Sequence, residues 1–278
     1  MTAITVTAPA RAGGKPLADV RTMFRRNLLR AVRYPGLTLF VVVGPLVMLL
    51  LFVYIFGGAF GAGVAPGVAP GAEGRAAYLT YITPSLLVLT VVGAGQSIAI
   101  SAAMDAAGGI MARFKTMAIS PGSALSGQVL GTVVQSIAAL VLVLGAAVAI
   151  GYRPQADAVD WLALLGVLLL LAVAISWLCV ALGLNARSVE TASNAPLILL
   201  LLPFLGSGFV PVETMPGPVR WFAEHQPFTP IIDTVRGLLA GGVGLDGATV
   251  AKAVVWCVLI GVAGYLWARS LYRRERRV

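Results

Sequence analysis

Uninterrupted apolar stretches separated by short polar, glycine- or proline-rich connections dominate the pattern of this chain. Six of them read as membrane-crossing segments: Leu37 to Gly57, Tyr78 to Ala103, Ala124 to Ile150, Trp161 to Leu184, Ala195 to Val212, and Ala251 to Ala268. A helix needs about 20 mostly apolar residues to cross the hydrocarbon core. Apolar content here is continuous rather than alternating, as helices require and barrel strands do not. The fifth stretch is short and carries Pro196 and Pro203, the sixth holds Lys252 at its end, where the side chain can snorkel to the interface, and Pro45 bends the first. The predicted fold class is an all-α polytopic membrane protein with six transmembrane helices.

Composition agrees. The 278 residues are 59% hydrophobic and 11% charged, whereas soluble domains carry about 25% charged residues. The net charge of +9 gathers beside the outermost apolar stretches, a distribution that fits membrane orientation and not nucleic-acid binding. Fifteen basic residues, among them Arg25, Arg30, Arg113, Arg187 and Arg273, fall on one side of the six-span layout, and five (Arg75, Arg153, Arg220, Arg236, Lys252) on the other. The positive-inside rule then makes both termini cytoplasmic, which an even number of spans also requires. Cys179 and Cys257 lie inside apolar runs, as buried hydrophobes would, and His225 is the single histidine, so no zinc or other metal set is expected.

Residues 1–16 read as a disordered tail and 17–34 as a cytoplasmic interfacial helix, since Leu17, Val20, Phe24, Leu28 and Ala31 share one face and arginines most of the other. A simple positive anchor fits the same residues. The transmembrane domain is expected over 35–268, followed by a basic tail at 269–278. Between the second and third spans, Met104 to Leu130 is too long and apolar for a plain turn. Asp105 stands near the start of a short helix with Arg113 and Lys115 toward its end, as the helix dipole favours. Met111, Phe114 and Met117 offer apolar knobs for a partner's groove, and Pro121 with Gly122 ends the segment.

This stretch resembles the cytoplasmic loop of ABC-2 type permeases, in particular the daunorubicin-resistance-like drug exporters, through Asp105, Gly109, Ile110, Arg113, Pro121 and Gly127. Relatives in the wider family often carry further charges where Ala106, Ala107 and Gly108 stand here. The resemblance implies a coupling helix that docks on an ATPase subunit through Asp105, Gly109, Ile110, Met111, Arg113, Phe114 and Lys115.

A second match runs from Ser207 to Gly242, where Phe209, Val210, Pro211, Glu213, Met215, Pro216, Gln226, Pro227, Thr229, Pro230, Asp233 and Arg236 resemble the same family's pattern after the fifth span. Prolines break the segment, and Trp221, Phe222 and Phe228 suit a membrane interface. One reading is a re-entrant helical hairpin in the outer leaflet between helices 5 and 6. The other is an amphipathic surface helix held by Arg220 with Glu224 and Asp233 with Arg236.

A polar and small-residue stripe follows Gly93, Gln96, Ser97 and Ser101 on the second span, and Gly127, Gln128, Gly131, Thr132 and Gln135 on the third. Helix packing and substrate contact both fit it. No ionisable residue lies deep in any of the six stretches, which disfavours an ion-coupled pump. No phosphate-loop motif is present, so ATP and Mg would be used by a partner chain, with no cofactor bound here. The resemblance implies two cytoplasmic ABC ATPase subunits, a second permease copy or a paralogous one, and export of an apolar or amphipathic drug- or lipid-like substrate from the plasma membrane. An intramembrane lipid-modifying enzyme is the alternative, for which Glu213, Glu224, His225 and Asp233 supply no recognisable constellation.

Overall fold

A computed structural model describes residues 21–22, 24–25, 35–64, 71–108 and 121–274. These are helical or irregular, with no strand among them. The expected tail at 1–16, most of the helix at 17–34, and Gly109, Ile110, Met111, Arg113, Phe114 and Lys115 lie outside the described residues, while Arg21, Thr22, Phe24 and Arg25 are helical.

We number the helices α1 (Pro35–Leu51), α2 (Gly57–Val64), α3 (Ala72–Ala107), α4 (Pro121–Ile150), α5 (Ala158–Asn185), α6 (Val189–Asn194), α7 (Leu197–Leu201), α8 (Gly217–His225), α9 (Phe228–Leu239) and α10 (Gly247–Arg274). A π-helical turn, Phe52–Phe56, joins α1 to α2, and 3-10 turns occupy Leu202–Leu205 and Val212–Thr214. Among the described residues five stretches are long and apolar enough to cross a membrane: Val41–Gly61, Ala72–Ala107, Leu125–Ile150, Ala158–Asn185 and Gly247–Tyr272. The stretch expected as a fifth span is different in kind. Its apolar helical part, Val189–Leu205, is interrupted and shorter, because Pro196 and Pro203 deny it continuous backbone hydrogen bonding.

Local chemistry sets the ends of these helices. Asp157 and Asp160 form a capping box at the start of α5, Asp160 N–H donating to Asp157 Oδ1 at 2.8 Å and Asp157 N–H to Asp160 Oδ2 at 3.2 Å. Ser188 caps α6 by accepting from the Thr191 amide at 3.1 Å. Asp246 accepts from the Thr249 amide at 3.0 Å ahead of α10, and hydrogen bonding from the Thr249 side chain, then from this amide, holds its carboxyl below the ordinary range. Gly71 precedes α3 with φ at 110°, a conformation that favours glycine.

The bundle is organised around α3 and α5, and the crossings use small residues, since burial from water cannot pull helices together in lipid. A Cβ on Gly95 of α3 would stand 2.7 Å from Cys179 Sγ on α5, and one on Gly183 of α5 would stand 2.3 Å from the Ala99 carbonyl oxygen of α3. Where α5 meets α10, a Cβ on Gly264 would come within 2.5 Å of the Leu178 amide nitrogen, and Trp177 meets Tyr265 edge-on with centroids 4.9 Å apart. Both cysteines are buried, Cys179 in the contact with Gly95.

The close approach at Gly183 leads us to expect that Gly183→Ala costs about 1–3 kcal/mol. By contrast Gly166→Ala on the same helix, where a Cβ meets nothing within 4 Å, should be neutral or slightly stabilising in detergent thermal unfolding. The connection between α4 and α5 offers a pH test. Burial pushes the Tyr152 phenol from 10.0 to about 12. The unfolded chain therefore ionises first as pH rises, and the apparent melting temperature should fall between pH 10 and 12, with a shallower fall in Tyr152→Phe.

Candidate functional site

Between Leu205 and Val212 the chain is not helical, so the carbonyls of this elbow need donors from elsewhere. One face of α3 supplies them. Tyr78, Tyr81 and Ser85 follow one another at three- and four-residue spacing, and their hydroxyls donate to Phe209 O at 3.3 Å, Ser207 O at 2.9 Å, and Gly208 O respectively. A second set comes from α9. Arg236 donates to Ser207 O at 2.7 Å and to Asp233 Oδ1, which also accepts from Ser207 Oγ at 2.7 Å. The Arg236 guanidinium lies over the Tyr81 ring, 4.3 Å from its centroid.

Packing fixes the elbow as firmly as these bonds do. A Cβ on Gly206 would sit 2.1 Å from Gln226 Nε2, and one on Gly208 would sit 2.5 Å from Pro203 O. Phe209 is buried, stacked on Phe204 at 4.2 Å and tilted against Phe52 at 5.0 Å. Phe52, Phe56 and Phe60 continue the aromatic row toward Tyr78.

The Gln-Pro-x-Thr-Pro motif forms the joint between α8 and α9. Gln226 Nε2 donates to Leu202 O at 3.0 Å, and Thr229 Oγ1 donates to Ala223 O at 2.6 Å. Pro227 caps α9 and Pro230 occupies its first turn, where a backbone donor is not needed. Pro211 begins the 3-10 turn ahead of Glu213 and Met215, and Pro216 caps α8. Glu213, Pro216 and Trp221 are exposed, and Trp221 stacks on His225 at 4.8 Å. Both ion pairs expected from spacing are present: Arg220 Nε with Glu224 Oε1 at 2.8 Å on the surface, and Arg236 with Asp233.

At the other end of α3, Asp105 is buried and accepts from Gln128 Nε2 of α4 at 2.6 Å. That bond ties the two stems of the 104–130 segment together. Along the stripe between the two ends, Gln96 Nε2 reaches Ser193 O at 2.8 Å, Ser97 bonds its own helix at Ala94 O, and Ser101 and Gln135 are half-buried. Gly93 opens on free space, so the close contact with α5 falls to Gly95. The sequence reading missed the three hydroxyls of α3 and the Gly95–Gly183 crossing. Tyr78, Tyr81 and Ser85 on one helical face were the available signal.

The family match spans both ends of this arrangement, the ABC-2 type transporter pattern fitting residues 18–240. The chain belongs to the ABC-2 type transporter family. It is the permease subunit of an ABC-2 type exporter related to drug-resistance exporters, a multi-pass membrane protein whose ATPase is a separate protein and whose family members bind no cofactor themselves. Over 270 residues this permease is 28% identical to the daunorubicin resistance ABC transporter permease protein DrrB1 of Streptomyces coeruleorubidus, covering 96% of this chain and 89% of that one. It is also 23% identical over 161 residues, 58% of each chain, to the probable doxorubicin resistance ABC transporter permease protein DrrC of Mycobacterium tuberculosis.

Phe209 is buried and packs against two other rings. We expect Phe209→Ala to cost about 3–5 kcal/mol of stability and Phe209→Leu clearly less, measured by thermal unfolding of the purified permease.

Proposed function

We propose that this permease moves an apolar or amphipathic, drug- or lipid-like substrate out of the cell with energy from two cytoplasmic ABC ATPases, working beside a second permease copy or a paralogue. Supporting this are the drug-resistance names of its relatives and the absence of ionisable groups deep in its long apolar stretches. The observation that carries the coupling step is the Asp105–Gln128 bond. By pinning both stems of the 104–130 segment to the bundle, it makes a push on Gly109, Ile110, Met111, Arg113, Phe114 or Lys115 a push on α3 and α4.

In this reading the chain crosses the membrane six times, the interrupted stretch Val189–Leu205 with the elbow completing the set. Both termini are then cytoplasmic, with residues 17–34 at the inner interface. The hairpin of α8 and α9 enters the outer leaflet, an assignment favoured by exposed Val219, Trp221 and Phe222 on α8. Gln96, Ser97, Ser101 and Gln135, with Gly93 and the buried Gln128, border the substrate path, because half-buried polar groups such as the first four on long apolar helices fit a watery route or a protein partner better than lipid.

Arg113→Ala combined with Phe114→Ala should leave the permease in the membrane at normal levels yet lower ATP-dependent drug efflux at least tenfold. Parental efflux in that variant would remove the docking assignment. In sealed vesicles the permease alone should be inert, and accumulation driven by a pH or sodium gradient without the ATPase would overturn the exporter mechanism.

A further inference from the structure

One acceptor in the elbow is shared by two helices: Ser207 O receives Tyr81 from α3 and Arg236 from α9. We propose that this carbonyl is the keystone of a latch, with Tyr81 and Arg236 as positioning residues that hold the 206–210 elbow shut across the outer end of the bundle. Its outer placement and its part in transport rest on the exporter reading; its existence as a bistable contact does not.

The two sides of the contact differ in kind. On the α9 side the elbow is held rigidly. Asp233 accepts from both Ser207 Oγ and Arg236, so side chain, cation and elbow form a closed ring. Gly206 is wedged against Gln226 and Thr229, and a Cβ on Gly208 would stand 3.4 Å from Ile232 Cδ1 of α9, so the elbow moves with the hairpin as a unit. On the α3 side the elbow carbonyls are held by three single hydroxyl bonds, from Tyr78, Tyr81 and Ser85. A slide of two residues' rise, about 3 Å, would carry such bonds past the distance at which they count as bonds. The side that lets go is therefore α3.

That helix has the reach to matter. It runs unbroken from Ala72 to Ala107, about 54 Å at the helical rise, with the hydroxyl face at one end and Asp105 bonded to Gln128 at the other. A displacement at the loop end thus arrives at the latch through one continuous backbone. Arginine suits position 236 because a planar guanidinium can donate to Asp233 and Ser207 while stacking on Tyr81, which a lysine ammonium cannot do at once.

The test is amide exchange followed by mass spectrometry on the full chain in lipid nanodiscs. In Tyr81→Phe and in Arg236→Gln, exchange across 206–211 should rise about tenfold, the effect of one lost bond of ordinary strength, while α10 keeps its parental rate. Arg236→Lys should fall between Arg236→Gln and the parent. Thr80→Ala is the control, since that exposed hydroxyl bonds only its own helix at Ala76 O, and it should change nothing. Should Arg236→Gln loosen the whole chain, Ser85→Ala decides by the same local readout. Reconstituted with the ATPase, the latch variants should hydrolyse ATP and export less substrate per ATP than the parent or Thr80→Ala. Parental exchange at 206–211 in Tyr81→Phe and Ser85→Ala overturns the latch, and a chain that fails to export at all leaves that exchange result standing, so the two failures are separable.

Discussion

A buried carbonyl oxygen needs a donor, and between Leu205 and Val212 the helix that would provide one is broken. The chain meets this demand from outside the segment, with hydroxyls of Tyr78, Tyr81 and Ser85 on one flank and the Arg236 guanidinium on the other. Much else is arranged around that need. The glycines at 206 and 208 let the backbone come close enough, Asp233 keeps the arginine aimed, and Gln226 fastens the hairpin joint to the turn before the elbow.

The long helices satisfy their own backbones and so face a different problem, which is how to adhere in a solvent as apolar as their side chains. Missing side chains are the answer. Gly95, Gly183 and Gly264 bring backbones into contact, and dispersion over many atoms then does what burial from water does in a soluble core. The helix α3 takes part in both arrangements, small residues meeting α5 along its middle and hydroxyls meeting the elbow near its start.

How much of this could be read from the residues follows from the range of each interaction. The long helices announce themselves because hydropathy is a local sum, and the ion pairs Arg220–Glu224 and Asp233–Arg236 because their spacing lies within one helical turn. The motif residues from Phe209 to Arg236 were found as a pattern, but not their geometry. Tyr81 and Ser207 are 126 positions apart, so nothing local in the sequence ties them. The same holds for Gly183 against Ala99, while Gly93, which shares the regular spacing of its stripe, turns out to face open space. The fifth apolar stretch was legible as hydrophobic, yet its prolines left length and continuity undetermined, and there the chain has short helical pieces in place of one rod.

The π-helical turn at Phe52–Phe56 has a consequence of its own. By inserting an extra residue into the first apolar helix it aligns Phe52, Phe56 and Phe60 in a column that leads to Phe209 and Phe204. Ring contacts are broad and shallow in energy, so they tolerate small slides of one element past another with little loss. The column gives the seam between the first helix and the elbow a continuous apolar lining that tolerates small relative shifts of the two.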